Sequence, residues 1–217
     1  MSNDIDIVAL KARYLSVIAA RRREPKFLDR SLAAEGARWI VDYVIAQKPA
    51  VVLELGSGFS TLALGLACSR SEASIRLLSA DHSGPWMEDV KAVGLAIARE
   101  QRKRTGRGAQ QPEWCSLGRL RSDEGHLGLV GKCAFVLVDH GPAMKTRLDD
   151  LPWIASLVAE NGIMALDDCR SVSPNATARR YEEDARGVLA GLGWSLERAF
   201  GSGNGDKWIG VARRRLG

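Results

Sequence analysis

Three acids at the ends of apolar runs are the residues best placed to do chemistry in this chain. Asp139 closes the run Phe135-Val136-Leu137-Val138, and Asp167-Asp168 close Ile163-Met164-Ala165-Leu166. If both runs are parallel strands of one sheet, their C-terminal ends open onto the same crevice however far apart they lie in sequence. Carboxylates that converge repel one another, so they must be protonated, paired with bases, or bridged by a cation. A hard divalent ion such as Mg²⁺ takes oxygen ligands of this kind. Paired aspartates at a strand end are also a common loop and cap signal. A second set lies upstream, where Gly56-Ser57-Gly58 follows the apolar run Ala50 to Leu55. Glycines there let the backbone turn sharply and approach a ligand, and Ser60 stands where a dinucleotide fingerprint has its third glycine. Glu54 lies inside the apolar run and needs a partner, because an unpaired buried acid is costly. Asp81 ends the next apolar run, where an acid can accept both hydroxyls of a nucleoside ribose.

The elements that must position these residues alternate between short apolar strands and periodic helices. Strands are expected at Ala50 to Leu55, Ile75 to Ala80, Glu113 to Leu117, Cys133 to Val138 and Ile163 to Leu166. A helix opens at Ser60-Thr61. Another follows Ser83 as N-cap with Pro85 in its first turn and Trp86, Val90, Val93 and Ile97 inward. A helix from Pro152 is expected to end at Asn161-Gly162, and one more spans Ala176 to Ala190. Trp194 to Phe200 and Lys207 to Ala212 read as an antiparallel pair across a glycine-rich turn. Two helices precede this pattern. The first presents Ile5, Val8, Ala12, Leu15 and Ala19 on one face; the second runs from Leu28 to Gln47 with Leu32, Gly36, Trp39 or Ile40, and Tyr43 inward. Residues 1–48 are thus read as a helical cap attached to a core of residues 49–217, and the cap offers a surface for a homodimer. The alternation implies a doubly wound, mostly parallel α/β sheet with one reversed edge or near-edge strand.

Composition narrows the classes. The chain has 217 residues, 46% of them hydrophobic and 26% charged, which is enough to bury one full core. No apolar stretch approaches the roughly 20 residues that span a bilayer, and the acidic start lacks a secretory pattern, so no membrane partner and a cytoplasmic location are expected. The four cysteines lack metal-site or CxxC spacing and read as free thiols. The net charge of +5 gathers in clusters at Arg21 to Arg23, Arg99 to Arg107 and Arg213 to Arg215. Such clusters more often solvate helix ends than bind nucleic acid, and no aromatic-basic interleaving accompanies them.

Val51-Val52-Leu53-Glu54-Leu55-Gly56-Ser57-Gly58 resembles the first motif of class I S-adenosylmethionine-dependent methyltransferases, and Ile75-Arg76-Leu77-Leu78-Ser79-Ala80-Asp81 resembles their acidic second motif. Phe135 to His140 and Gly162 to Asp168 are similar to the fourth- and fifth-strand motifs of the Mg²⁺-dependent catechol and caffeoyl-coenzyme A type O-methyltransferases. The likeness covers about residues 49 to 212 as a fold and is specific in these four motifs. It implies a Rossmann-like, seven-stranded, mostly parallel sheet with a reversed C-terminal strand, and methyl transfer from S-adenosyl-L-methionine to a small molecule. It further implies that Glu54, Gly56, Ser57, Gly58 and Ser60 border the cofactor, that Asp81 holds the ribose, and that His82 flanks the adenine. Asp139 would serve both cofactor and metal, with Asp167 and Asp168 completing a Mg²⁺ site that grips two acceptor oxygens and lowers the pKa of the attacking hydroxyl. Three departures stand out. Catechol-type enzymes have asparagine at the place of Asp168, a lysine base at the place of Pro142, and a longer cofactor loop. His140 and Lys145 are the candidate catalytic bases here, beside a different residue or a metal-activated hydroxyl that needs none. An acceptor other than a catechol is therefore expected. An RNA methyltransferase, a catalytically silent cofactor-binding protein and an NAD-dependent oxidoreductase are the alternatives; the absent third glycine and the strand-end acids count against the last.

Overall fold

A computed structural model describes residues 5–22, 32–106, 108–122, 125, 128–140, 144–169, 176–201 and 208–215. Seven strands lie among them: β1 (Val51–Leu55), β2 (Arg76–Asp81), β3 (Glu113–Ser116), β4 (Cys133–Val138), β5 (Val158–Cys169), β6 (Trp194–Gly201) and β7 (Trp208–Arg214). They form one sheet in the order β3-β2-β1-β4-β5-β7-β6. The first five are parallel, whereas β7 runs antiparallel to both of its neighbours. This is the doubly wound sheet with a reversed last strand that the alternation of elements implies. Both faces of β1 and β4 are covered, which is why these strands read as nearly all-apolar runs, with Glu54 the one polar residue among them.

The helices are α1 (Ile7–Arg22), α2 (Ala34–Gln47), α3 (Phe59–Arg70), α4 (Gly84–Thr105), α5 (Leu117–Arg121), α6 (Met144–Leu157) and α7 (Ala176–Gly191). One apolar cluster joins α1, α2, α3 and part of α4 to one face of the sheet; a second joins α5, α6 and α7 to the other. Ser83 caps α4 by accepting from Trp86 N at 3.3 Å, and Pro85 sits in the first turn, both as the sequence signals require.

Two helical readings need correction. The buried face of α1 is Ile7, Leu10, Tyr14 and Ile18, while Val8 is 68% exposed. Both faces follow helical spacing, and the winner is the one that brings Tyr14 against Phe59 of α3, with ring centroids 5.7 Å apart. The helix expected from Pro152 starts instead at Met144 and ends at Leu157, with Pro152 inside it. Its buried register, Arg147, Leu151 and Ile154, runs straight through the proline, so packing holds the helix despite a lost backbone donor. Asn161-Gly162 consequently lies within β5. A Cβ on Gly162 would come within 2.7 Å of the Cys133 carbonyl oxygen, so glycine there serves the close approach of β4 at its register shift. Arg23, Pro25, Leu28 to Ser31 at the predicted start of the second helix, Gly141-Pro142, residues 171–175 and residues 202–207 lie outside the described residues; of the described part of that predicted helix, Leu32 and Ala33 precede α2, which begins at Ala34.

Strand order reverses between β1 and β4, because the chain first builds outward through β2 and β3 and then returns to the other side of β1. In such sheets the crevice at the strands' C-terminal ends, at that reversal, is where ligands bind.

Candidate active site

The loop between β1 and α3 lies at this reversal. Gly56 has φ +94°, in the left-handed region, and a Cβ there would stand 2.3 Å from the Asp139 carbonyl oxygen and 2.8 Å from His140 N. Gly56 N donates to Ala80 O, and Asp139 N donates to Leu55 O, each at 2.8 Å, so the loop is clamped between β2 and β4. Gly58 differs: an added Cβ meets nothing within 4 Å. It caps α3, its N–H donating to Thr61 Oγ1 at 2.9 Å, beside the helix end that favours negative charge.

Asp81 holds this loop in place. Its Oδ2 accepts from Ser57 N at 2.7 Å and from Ser57 Oγ at 2.8 Å, and its Oδ1 accepts from Ser83 N at 2.8 Å. The side chain is buried, while the neighbouring His82 is 57% exposed with Nδ1 3.3 Å from Asp81 Oδ1. Trp86, read from sequence as an inward residue, donates its indole N–H to Ser57 O at 2.7 Å and packs against the core. Ser57 is therefore gripped from both sides.

Glu54 is completely buried beneath the loop. Its Oε2 accepts from Thr61 Oγ1 and from Ser79 Oγ, each at 2.6 Å, while Oε1 is buried with no hydrogen-bond partner. Burial pushes the carboxyl up to about 7, against the pull of the hydroxyls of Ser60, Ser79 and Thr61. Because the folded pKa lies above the unfolded one, the native state holds the extra proton. Stability is then highest below the unfolded value of 4.5 and falls as pH rises through about 7. Glu54→Gln removes this dependence. Its melting temperature relative to wild type is expected to climb between about pH 5 and about pH 8, and parallel curves would mean that Glu54 stays charged throughout.

The strand-end acids come together as expected. Ligand oxygens of Asp139, Asp167 and Asp168 all lie within 4.8 Å of one another, a donor set of the kind a hard divalent ion takes. Asp168 adopts φ +65°, a left-handed conformation that aspartate tolerates better than most residues, at the register shift between β5 and β7. A cation already lies among these acids, and it is one the sequence reading missed. The Arg147 guanidinium, 6% exposed, donates through Nη2 to Asp139 Oδ1 at 3.1 Å and through Nη1 to Asp168 Oδ2 at 3.2 Å. Nη1 also reaches Asp167 O at 3.4 Å, and Nε donates to His140 O at 2.7 Å. Burial lowers the pKa of Arg147, but Asp139 and Asp168 outweigh it and hold the group above its ordinary value. The available signal was register. Arg147 occupies the buried face of α6, one turn before Leu151, where a charge needs a partner.

The two candidate bases are placed differently. His140 is buried, its Nε2 2.6 Å from Asp150 Oδ2, with Arg121 on the same carboxylate; its Nδ1 is buried without a partner. Burial pushes its pKa below the ordinary range, against Asp150. Lys145 stands exposed on the first turn of α6.

A clamped glycine turn at a strand-order reversal, tied to the acid that ends β2, defines a doubly wound protein with an open crevice at its strand ends. Residues 53–169 match the family model described as a methyltransferase domain, and the chain belongs to that family. No curated protein matches it in sequence. Similar solved structures include the Podospora anserina methyltransferase PaMTH1 bound to S-adenosylhomocysteine, with 18% identity, TM-score 0.61, and 95% of this chain and 88% of that one covered. The Bacillus cereus O-methyltransferase in complex with the same compound has 14% identity, TM-score 0.65, and 95% and 91% coverage. The O-methyltransferase TomG of Streptomyces achromogenes, involved in tomaymycin synthesis and bound to S-adenosylmethionine, has 13% identity, TM-score 0.64, and 97% and 90% coverage. Among the described residues no helix is long and apolar enough to cross a membrane.

Proposed function

We propose that this protein transfers the methyl group of S-adenosylmethionine to an oxygen of a small-molecule acceptor. The observation that carries the reading is the loop Gly56 to Gly58, fixed by Asp81 and Gly56 yet leaving open space at Gly58, in a chain of the methyltransferase-domain family. The open approach at Gly58 and the helix end beside it fit a cofactor with a carboxylate tail. The cofactor and oxygen chemistry named for structures of the same fold support the finer reading.

The cofactor, when bound, supplies a methyl carbon made electrophilic by its sulfonium sulfur, which keeps the bonding electron pair as an oxygen lone pair of the acceptor forms the new bond. The protein's work is placement. Asp81 sets the loop and is the acid assigned to the ribose in this reading, and Gly56 keeps the loop against β4. Glu54, through Thr61 and Ser79, fixes the first turn of α3 from below. Asp139 and Asp168 follow the strands that edge the crevice, and exposed His82 next to Asp81 is assigned to the adenine side. His140 holds Asp150 on α6, and Lys145, exposed on the first turn of that helix, is the other base candidate.

Two readings exist for the strand-end acids. Their convergence favours a divalent ion that assists the transfer, held by Asp139, Asp167 and Asp168. The four hydrogen bonds of Arg147 favour compensation by the protein itself, since an ion would compete with the guanidinium for Asp139 and Asp168.

Calorimetric titration with S-adenosylhomocysteine and, separately, with NAD tests the main reading. Binding of the first is expected, and binding of NAD alone would overturn it. Asp81→Ala removes three hydrogen bonds to the charged acid and is expected to weaken S-adenosylhomocysteine binding by at least about tenfold. An unchanged dissociation constant would detach Asp81 from the cofactor.

A further inference from the structure

We infer that Arg147 is the resident cation of the strand-end carboxylates, and that it takes the place of a divalent metal in this protein. The inference rests on the methyltransferase reading of the crevice and deepens it. Three observations carry it. First, the guanidinium bridges two of the three acids, at 3.1 Å to Asp139 and 3.2 Å to Asp168, so two members of the converging carboxylate set are already paired with a cation. Second, it is anchored independently of the acids. Nε donates to His140 O at 2.7 Å and Nη1 reaches Asp167 O, so the fork is fixed by backbone at both strand ends rather than attracted there by charge alone. Third, it projects from the buried face of α6, in register with Leu151 and Ile154, so the side chain cannot swing to solvent without leaving the core.

A planar guanidinium and a metal ion answer the same electrostatic need in different ways. The ion offers open coordination positions that an acceptor's two neighbouring oxygens can fill together, and it acidifies a bound hydroxyl. Arg147 spends its donors on the protein. An acceptor therefore has no two-oxygen chelate to join, and the acids become a rigid wall that ties β4, β5 and α6 together at the crevice.

Mn²⁺ alone, followed by electron paramagnetic resonance, is the probe. The wild-type protein is expected to leave Mn²⁺ free up to millimolar concentrations, and Arg147→Met to bind it at least about tenfold more tightly by exposing the three carboxylates. Micromolar Mn²⁺ binding by wild type that is lost in Asp168→Ala would overturn the inference, as would an Arg147→Met protein that folds yet gains no affinity. If that variant does not fold, the wild-type titration decides alone. S-adenosylhomocysteine calorimetry on the same wild-type sample keeps the two readings apart. Its failure would sink the methyltransferase assignment, while the Mn²⁺ result would still judge Arg147.

Discussion

Gly56→Ala is expected to lose S-adenosylhomocysteine binding and to destabilise the fold by about 2–6 kcal/mol, the sum of a left-handed backbone imposed on a residue with a Cβ and an overpacked contact. The site of the clash makes the effect large. The nearest atoms are the carbonyl of Asp139 and the amide of His140, which are backbone and cannot rotate away, and Asp139 N is itself bonded to Leu55 O. Relief requires β1 and β4 to part at the point where the crevice forms. Gly58→Ala is the matched control. Its φ of 176° is ordinary extended backbone and its Cβ meets nothing within 4 Å, so stability should change little. The added methyl would still enter the space proposed for the cofactor, so binding should weaken. Differential scanning calorimetry and ligand titration of the pair separate the two roles; equal loss of stability in both variants would refute the assignment of Gly56 as the clamp.

Arg147→Met is expected to cost about 3–5 kcal/mol in urea denaturation, the range for removing one partner of a buried ion pair and leaving the others uncompensated. Methionine keeps most of the side chain's length and apolar contact, so the loss measures charge and hydrogen bonds rather than packing. Adding Asp168→Asn should recover part of it, because one of the opposing carboxylates is then gone; residues in direct contact couple in this way. A loss under about 1 kcal/mol, the worth of a surface pair, would mean that solvent already screens these acids.

The parts of the molecule legible in sequence are those where a local pattern has one physical solution. A largely apolar run followed by Gly56-Ser57-Gly58 reads as a covered strand and a turn, and the acids of β2, β4 and β5 lie at or beside the C-terminal ends of those strands. The face of α1 was not legible, since two apolar stripes share the same helical period and the choice belongs to Phe59, a residue of another helix. Pro152 misled for a similar reason: its local preference is to start a helix, but the buried register of α6 overrides it. Arg147 is one of many arginines, and what singles it out is the company of Leu151 and Ile154 along the helix together with two acids from two different strands. Glu54 was legible as an acid needing partners. That those partners are the hydroxyls of Thr61 and Ser79 depends on the register of β1 against β2, which pairs Glu54 with Ser79.

The sheet order also bears on how the protein is made. Strands β3, β2, β1 and β4 are complete once residue 138 has left the ribosome, so the glycine loop and Asp81 can settle early. In contrast, β5 keeps one edge open until β7 arrives to pair with it. An unpaired apolar edge is a template for other chains. The crevice would then mature in two stages, its glycine-loop side during synthesis and its acidic wall only after the reversed strand slides in between β5 and β6. Ribosome-stalled chains ending before β7 should accordingly be the aggregation-prone form of this protein.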